Sequence, residues 1–410
     1  MSLFESINSR FQGSYKFWKP EKNKNSSIVF KNKVFYKAKQ GAIKSCELIL
    51  IKNYLIKVIP DSINKITLLD WKIIEPFTEV NGDKERFGFS VGHRGCSRDF
   101  YVENEEKLNE WLDVLLPTCI MTDFSNDFSI VKEIGSGSFG VVYLALSNND
   151  SKPYAVKAIN KNNFSTTSSL NSVADEIKIM RMLDHPNIVK LHYVYEDSSL
   201  IYLVTDYVEG GNLHSRMVKK KVFNERTVSH FAEKMLGVLD YMSSLDIVHR
   251  DLKLENILMV SEENDYDFKI IDFGLAAEVT EGLHLRCGSP GYIAPEILRK
   301  HYYDAKADLF SLGVILYILL SGKMPFNGKN INDVLIKNRE GKISFQHPAW
   351  KNVSKYASTL VLRLTEPLPS IRPTAREALQ DSWLHQELNT TLPNIHPTSQ
   401  PSESHTSHSE

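Results

Sequence analysis

The stretch HRDLKLEN, residues 249–256, places a histidine, an arginine, a lysine, an amide and two acids within eight positions. The apolar pairs Ile247-Val248 and Ile257-Leu258 flank it and predict a short strand on each side. Two interpretations fit these residues. A solvated turn carries charge, although a segment that only turns usually contains Gly, Pro or an Asn/Asp cluster. The alternative is a catalytic loop at the mouth of a core, and the rest of the chain favours it.

The same stretch and IIDFG, residues 270–274, supply the residue types that phosphoryl transfer uses. This reaction needs little covalent help, because positioning, metal ions and neutralisation of charge provide most of the catalysis. Asp251 is predicted to accept the proton of the attacking hydroxyl, and Lys253 to neutralise the transferred phosphoryl group. Asn256 and Asp272 offer oxygen ligands, which Mg²⁺ prefers, and are the predicted magnesium ligands.

A glycine-rich segment, IGSGSFGVVYLA at 134–145, is predicted to bind nucleotide phosphates. Strand-like residues follow its glycines, whereas a dinucleotide-binding fold would have a helix there. The segment therefore joins two strands and can lie over phosphates with its backbone N–H groups exposed. The structural alternative is a plain glycine-rich hairpin. The predicted contacts of this loop are Ile134, Gly135, Ser136, Gly137, Ser138, Phe139, Gly140 and Val141.

Lys157 lies in the middle of the apolar strand YAVKAI. A buried lysine is costly unless a partner compensates its charge. Glu176, in the amphipathic segment ADEIKIMRML, is a carboxylate that could supply that partner. The pair is predicted to keep the lysine charged for contact with phosphate oxygens.

The elements around these residues divide the chain into two folded parts. Residues 28–116, called the front region below, contain successive runs of branched and aromatic residues and then a helix, ENEEKLNEWLDVLL. Leu108, Trp111, Leu112 and Leu115 recur in it at helical spacing, which predicts that this helix plugs one end of a small β sandwich or barrel. A second strand-rich segment begins at Phe128 and becomes helical from about Glu225.

The composition predicts a soluble chain in a reducing compartment. The four cysteines are scattered with no CxxC pair, so neither a disulfide framework nor a zinc site is indicated. The first ten residues lack the pattern of a secretion signal, and the longest apolar run, Leu312 to Leu320, is about half a bilayer span. We therefore expect a cytoplasmic protein whose only membrane contact is peripheral.

The second part resembles the eukaryotic protein kinase family. It carries GSGSFGVV, YAVK, HRDLKLEN, DFG and APE in the order typical of that family, over residues 128–385. The resemblance implies an α+β, two-lobed fold with a β-rich small lobe and a helical large lobe, and it implies ATP and Mg²⁺ as cofactors. Carried over by position, it also implies an adenine pocket of Val142, Ala155, Thr205, Asp206, Val208 and Leu258.

Further roles follow from the same resemblance. His249 is expected to support the core, and Asp308 to brace the catalytic loop. Glu296 is expected to pair with Arg372. Lys253 and GSPGYIAPE at 288–296 match the serine/threonine branch, and CGSPGYIAPEIL looks most like the calcium/calmodulin-dependent kinase group.

The resemblance implies protein substrates and no nucleic-acid partner. No basic amphipathic helix or calcium-binding loop motif is evident, so a calmodulin site is not expected. Asn212 replaces the acid that basophilic relatives use to recognise an upstream arginine, whereas Glu255 retains a second acid. A weakened preference for basic substrates is therefore predicted.

The front region resembles a pleckstrin-homology domain in its order of seven candidate strands and a helix bearing Trp111. Residues 1–60 hold twelve Lys/Arg and three Asp/Glu, a balance of +9, which could attract anionic lipid headgroups. The alternative is a solvated, lysine-rich face. Lys39 and Lys44 fit the basic pattern of lipid-binding relatives, but Cys46 stands where those relatives have an arginine, so phosphate selectivity should fall.

These observations divide the chain into an extension (1–27), the front region (28–116), a linker (117–127), a kinase domain (128–385) and a disordered tail (386–410). We expect a serine/threonine kinase whose front region directs it to a membrane or a partner and also inhibits it. A pseudokinase scaffold and a lipid-targeted adaptor are the alternatives.

Arg250 precedes Asp251 and is expected to need an anion from the segment that follows the DFG motif. Two sources of that anion are open. Phosphorylated Thr280 would neutralise Arg250, or Glu278 or Glu281 does so permanently.

Overall fold

The structure is a computed structural model that describes residues 19–20, 27–38, 42–59, 64–69, 72–81, 84–93, 96–137, 140–164, 167–279 and 283–385. Fourteen strands of these ranges form one continuous sheet, and two further sheets have two strands each. No helix in these ranges is long and apolar enough to cross a bilayer. Ser138, Phe139, Lys39, Thr280 and Glu281 lie outside the described residues, as do nearly all of the predicted extension and the whole predicted tail.

The front region is an antiparallel sheet closed by one helix. Its elements are β1 (Lys19–Pro20), β2 (Phe30–Lys37), β3 (Ile43–Ile51), β4 (Tyr54–Val58), β5 (Lys65–Leu68), β6 (Ile73–Asn81), β7 (Lys84–His93), β8 (Cys96–Tyr101) and α1 (Glu105–Leu115). The strand order is β1-β5-β4-β3-β2-β8-β7-β6. The strand β1 lies in the predicted extension and pairs with β5, which the sequence did not predict.

Helix α1 supplies the largest side chain of the front core. Asn104 caps its first turn by accepting a hydrogen bond from the N–H of Lys107 at 2.9 Å. Trp111 is fully buried and meets the Phe30 ring edge-on at 4.8 Å between centroids. Leu108 and Leu115 are buried beside it, and Leu112 is partly buried against the same core, so three of the four residues of the predicted face are fully in the core.

Residues 117–127, predicted as a linker, are built into the sheet. They contain β9 (Ile120–Met121) and α2 (Phe124–Asp127). The strand β9 pairs in parallel with β6 on one side and with β13 (Leu191–Glu196) of the small lobe on the other. The front region and the small lobe therefore share one sheet.

The small lobe is the remaining part of that sheet with one long helix. Its other elements are β10 (Phe128–Gly137), β11 (Gly140–Ser147), β12 (Pro153–Asn160), a 3₁₀ turn (Lys161–Asn163), α3 (Thr167–Met182) and β14 (Leu200–Asp206). The order from the bridge outward is β9-β13-β14-β12-β11-β10.

The large lobe is mainly helical. Its helices are α4 (Leu213–Lys220), α5 (Glu225–Ser244), α6 (Pro295–Leu298), α7 (Lys306–Ser321), α8 (Ile331–Glu340), α9 (Lys355–Leu364), α10 (Ala375–Ala378) and α11 (Ser382–His385), with 3₁₀ turns at Leu254–Asn256 and Pro348–Asn352. Two small sheets, β15 (Ile247–Val248) with β18 (Ala277–Glu278) and β16 (Ile257–Met259) with β17 (Phe268–Ile270), flank the HRDLKLEN loop. The mixed α+β class predicted for this part is confirmed.

Helix α7 provides the buried support for the HRDLKLEN loop. Every residue from Ala307 to Ser321 is buried, so the helix is apolar on all sides and forms the centre of the large lobe. Asp308 lies in its first turn and is therefore a buried acid next to the HRDLKLEN loop.

Candidate active site

The glycine-rich segment is a hairpin between β10 and β11. Gly137 pairs with Gly140 across the turn. A side chain at Gly140 would collide with the carbonyl oxygen of Ala158 on β12, so the close approach of β11 to β12 requires glycine. Positions 135 and 137 face open space, with no atom within 4 Å of where a side chain would begin. The hairpin therefore leaves room for a ligand over its backbone.

Lys157, on β12, pairs with Glu176 of helix α3. The Lys157 Nζ–Glu176 Oε1 distance is 2.6 Å, and Asp272 Oδ1 lies 3.6 Å from the same nitrogen. Burial alone would lower the pKa of Lys157, but the two carboxylates outweigh it and raise the pKa above its ordinary value. Burial would likewise raise the pKa of Asp272, and Lys157 holds it lower. The lysine is therefore kept charged beneath the hairpin.

The carboxylate of Asp251 is held from three sides. Lys253 Nζ donates to its Oδ2 at 2.7 Å, and the Ser289 hydroxyl donates to its Oδ1 at 2.7 Å. Lys253 also donates to Ser289 at 2.8 Å. The Asn256 amide nitrogen donates to the Asp251 carbonyl oxygen at 2.9 Å and to Oδ2 at 3.2 Å. This network fixes the direction in which Asp251 presents its oxygens.

The backbone of the loop is fixed by Asp308. Its two oxygens accept the N–H groups of His249 and Arg250 at 2.7 and 3.0 Å. The fully buried His249 ring lies 3.1 Å from the carbonyl oxygen of Ile271 and accepts the N–H of Asp251 at 3.2 Å. Both contacts agree with the support role expected for His249 and the bracing role expected for Asp308.

Two residues at the site adopt a left-handed backbone. Arg250 has φ of 68° and Asp272 has φ of 64°. Such conformations cost energy in residues other than glycine and concentrate at functional sites. In this protein the two strained residues lie in the HRDLKLEN loop and in the DFG motif.

The residues assigned to the adenine pocket lie on, or just after, strands of both lobes. Ala155 faces Thr205 across the β12–β14 pair, and the Thr205 hydroxyl donates to the Ala155 carbonyl at 3.2 Å. Leu258 bridges to Asn212 on the large-lobe side. The six side chains are half-buried, which leaves surface for a ligand: Val142, Ala155, Thr205, Asp206, Val208 and Leu258.

Asp206 has a second role at the end of β14. His192 lies 2.7 Å from its Oδ1, and Lys269 lies 3.1 Å from its Oδ2. Burial would raise the pKa of Asp206, but these partners hold it well below its usual range. The side chain is therefore engaged in structure, which is compatible with the expectation that Asp206 contacts adenine through its backbone.

The stretch below the catalytic loop is held by buried polar contacts. Arg372, fully buried, forms a bidentate pair with Glu296 at 2.7 and 3.0 Å, the pair that the resemblance implied. Asn338 of α8 is also fully buried; it accepts the N–H of Gly291 at 3.0 Å and donates to the Ile293 carbonyl at 2.7 Å. These contacts fix the segment that carries Ser289.

The cation of Arg250 is not neutralised by Glu278. Its guanidinium donates to the carbonyl oxygens of Leu275 and Ala276. Glu278 pairs instead with Lys178 of helix α3 at 2.6 Å. The expectation that Glu278 neutralises Arg250 is therefore wrong, because α3 provides a nearer lysine. Thr280 and Glu281 lie outside the described residues.

The chemistry of the site fits Mg²⁺. The Asn256 amide nitrogen is used as a donor to Asp251, which directs the ligating role to its oxygen. Asp272 keeps 47% of its side chain exposed. Among the described residues no group of three or more His, Cys, Asp or Glu could hold a metal alone. Mg²⁺ commonly binds through one or two protein oxygens together with substrate phosphates, which this pair allows.

Three contacts at or beside the site were not predicted from the sequence. The Ser289 hydroxyl lies on Asp251 across 38 residues, Lys178 reaches Glu278, and Asn338 holds the Gly291 turn. Each depends on a tertiary approach between segments and not on local pattern. For Ser289, only its place in the GSPGYIAPE motif pointed to the site.

A glycine hairpin, a paired lysine and a braced acidic loop in the cleft between two lobes define a kinase-type nucleotide site. The protein kinase domain family matches residues 128–384. The chain therefore belongs to the protein kinase family.

The relatives are named kinases. "Calcium-dependent protein kinase 4" of Plasmodium falciparum is 37% identical over 326 residues, which cover 77% of this chain and 61% of that protein. "Myosin light chain kinase A" of Dictyostelium discoideum is 35% identical over 266 residues, 64% of this chain and 90% of that protein. "Calcium-dependent protein kinase 4" of Arabidopsis thaliana is 39% identical over 259 residues, 62% of this chain and 52% of that protein. The chain thus spans about half to three fifths of the calcium-dependent relatives.

Proposed function

We propose that the chain is a serine/threonine protein kinase that uses ATP with Mg²⁺. One observation carries the proposal: a serine hydroxyl, that of Ser289, already donates to Asp251 at 2.7 Å while Lys253 bridges both groups. A substrate hydroxyl in hydrogen-bond reach of the same carboxylate would meet a proton acceptor and a cation together. The matching relatives are named as protein kinases, which supports the same class.

Each catalytic group then has a defined task. Lys157, kept charged by Glu176, would bind phosphate oxygens under the glycine hairpin. Asp251 would accept the proton of the attacking hydroxyl, and Lys253 would neutralise charge on the transferred group. Bound Mg²⁺ would supply further charge neutralisation at Asn256 and Asp272.

The pseudokinase alternative predicts that one of these groups is misplaced. The described geometry offers no such defect, since Lys157, Glu176, Asp251, Asn256 and Asp272 all lie in the cleft with the partners described above. The adaptor alternative makes phosphotransfer incidental and is decided by measuring activity.

The test is acceptor choice by the purified full chain. With Mg-ATP and degenerate peptide libraries, we expect transfer to serine and threonine acceptors and little to tyrosine. Asp251→Asn keeps the size of the side chain and should lower the rate by at least about a hundredfold, because the proton acceptor is lost. Transfer mainly to tyrosine, or an unchanged rate in Asp251→Asn, contradicts the proposal.

We also propose that the front region is pleckstrin-homology-like and binds anionic phosphate headgroups, recruiting a cytoplasmic kinase to membranes. Support comes from four cations on the core-facing side of its strands. Lys57 is opposite both Leu48 and Lys65, and Lys44 is two positions from the buried Cys46 on the same side. Arg98 likewise lies two positions before the buried Phe100.

The four cations differ in depth. Lys44, Lys65 and Arg98 are exposed, whereas Lys57 is only 7% exposed. Burial lowers the pKa of Lys57 to about 8, and the Lys65 and Arg98 charges add to this effect while Cys46 opposes it. A phosphate among these cations would relieve their mutual repulsion. Lys57 thus supplies a deep cation although Cys46 stands at the expected arginine position.

Vesicle sedimentation tests this second proposal. Vesicles of phosphatidylcholine with a few per cent of phosphoinositide should bind the full chain, and soluble inositol phosphate should compete if the headgroup alone is recognised. Lys57→Met should weaken binding by about tenfold, the loss of one charge-assisted contact. Lys107→Met, in the surface pair with Glu110, is the matched control. Equal binding by both variants contradicts the site.

A further inference from the structure

Three consecutive residues lie in three different hydrophobic cores. Cys119 is buried in the core of the front region. Ile120 is buried in the large core that continues through both kinase lobes. Met121 is buried with the aromatic residues on the other face of the small-lobe sheet. The front region therefore cannot move relative to the small lobe without exposing at least one of these side chains.

The strand β9, called the bridge strand below, also joins two sheet edges. Ile120 is in register with Ile73 of β6, and its N–H donates to the Lys72 carbonyl at 2.9 Å. Met121 is in register with Tyr195 of β13. Without the bridge strand, β13 would be an edge strand with unpaired backbone groups. The pairing makes the front region an extension of the kinase sheet.

Aromatic packing secures the next turn of the chain. The Phe124 ring stacks on Tyr202 with centroids 4.2 Å apart, and it meets Tyr195 edge-on at 5.5 Å. The Tyr195 hydroxyl donates to Asp127 at 2.7 Å. These rings belong to β13 and β14, so the chain following the bridge strand is fixed to the small lobe as well.

Helix α3 is attached to this junction. The guanidinium of Arg181, in its last turn, donates to the carbonyl oxygen of Cys119 at 2.5 Å. The same helix carries Glu176, which pairs with Lys157, and Lys178, which pairs with Glu278. One short stretch of α3 thus contacts Lys157, the chain after the DFG motif, and Cys119, whose side chain is buried in the core of the front region.

We propose that the bridge strand and Arg181 position helix α3, so that Glu176 meets Lys157 and the front region supports catalysis through this helix. This inference rests on the kinase activity proposed above. Arg181 and Ile120 are positioning residues, since they act on the phosphate-binding lysine only through α3. Rigid elements joined by packed side chains can transmit coupling from the bridge strand to Lys157.

The proposal gives the front region an activating effect on the kinase, whereas autoinhibition was expected from the sequence. The described contacts of Cys119 and the bridge strand with the small lobe lie on the outer edge of β13 and on the last turn of α3. A contact at that place can stabilise the paired state of Lys157 without covering the cleft. Loss of the contact should therefore lower activity and not raise it.

The test compares arginine variants in the full chain. Arg181→Met keeps the apolar stem and removes the donors; kcat/KM for ATP should fall by about tenfold, with the peptide KM unchanged within about twofold. Arg181→Lys retains a cation and should recover part of the loss. Arg376→Met, at an exposed arginine 3.3 Å from Asp240, is the control and should match the wild type. Ile120→Ala tests the same coupling through packing.

Hydrogen exchange separates positioning from general damage. In Arg181→Met, amides of α3 should exchange faster while those of α7 keep wild-type protection. Faster exchange throughout the kinase lobes would overturn the positioning role, as would unchanged or raised activity. A wild-type chain without phosphotransfer would refute the kinase proposal instead, and the exchange pattern would still test the coupling of Arg181 to α3.

Discussion

The two halves of the molecule each bury a lysine, and they treat its charge differently. Lys157 meets two carboxylates, and its pKa lies above the ordinary value despite burial. Lys57 has its ammonium 2.9 Å from the centre of the Tyr36 ring, and its pKa falls to about 8. Among the described residues no carboxylate lies within ion-pair distance of Lys57. The first lysine is held between two carboxylates, whereas the second has no counter-ion in the part of the chain that the structure describes.

The difference shows that burial alone does not identify a function. A buried cation is tolerated when acids compensate it, as at Lys157, and it destabilises the fold when they do not. An uncompensated buried cation is therefore a stronger indication of a missing anionic ligand than a paired one. The stability predictions below remove either a buried charge or its partner in each half of the molecule.

The largest stability effect is expected at the buried pair of the kinase half. Glu296→Gln leaves the fully buried Arg372 without its carboxylate and should lower the free energy of unfolding by about 3–5 kcal/mol. Urea unfolding of the kinase half, followed by hydrogen exchange of peptides from the buried helix α7, measures it. Arg376→Gln, which breaks an exposed pair, should change stability by less than about 1 kcal/mol. Similar losses in both variants would refute the contrast between buried and exposed pairs.

Replacement of the uncompensated Lys57 should raise the stability of the front region. Lys57→Met should stabilise the front region by roughly 1–3 kcal/mol at pH 7, because it removes a buried charge without a partner. The folded-state pKa of about 8 lies below the ordinary 10.5, so the unfolded chain binds more protons between these values. Wild-type stability should therefore rise from pH 8 to pH 10.5, and the advantage of Lys57→Met should shrink.

Cys46 reports this transition, because it is buried in the front core. Its alkylation at increasing urea, read by peptide mass spectrometry at pH 7.5 and pH 10, follows unfolding of the front region. Lys107→Met is the control and should show no gain in stability. A destabilised Lys57→Met variant at pH 7.5 would contradict the description of Lys57 as uncompensated.

These two lysines also show how far the sequence could predict the structure. Lys157 was identified because an acid-bearing amphipathic helix follows its strand. Lys57 lies in an equally apolar strand, YLIKVIP, but its burial depends on the pairing of Lys57 with Leu48. A shift of one residue in that register would place it in solvent, and register is not encoded locally.

The order of the motifs predicted the kinase half well. The junction between the two halves, at residues 117–127, was predicted poorly. The bridge strand has only two residues, too few to show a period of two, so 117–127 was predicted as a linker. The contact of Ser289 with Asp251 and that of Arg181 with Cys119 join segments far apart in the chain. Such contacts arise only when the elements pack together.

The smallest predicted effect concerns peptide choice. Asn212→Glu should strengthen the preference for arginine three residues before the acceptor by roughly 1 kcal/mol, through one charge-assisted contact. Asn212 also caps α4 by accepting the N–H of Ser215 at 2.8 Å. Asn212→Gln therefore serves as the control, because it loses the cap without adding charge. Identical library profiles for the two variants would exclude a role for charge at this position.

The most direct test of the central claim is the rate of phosphate transfer by two lysine variants of the full chain. Lys157→Met should abolish transfer from Mg-ATP to a serine peptide while circular dichroism and the unfolding midpoint stay close to wild type. Lys152→Met, at an exposed lysine just before the same strand, and Lys57→Met should both keep the wild-type rate within about twofold. Near-normal transfer by Lys157→Met would contradict the assignment of the paired lysine to phosphate and, with it, the proposed kinase site.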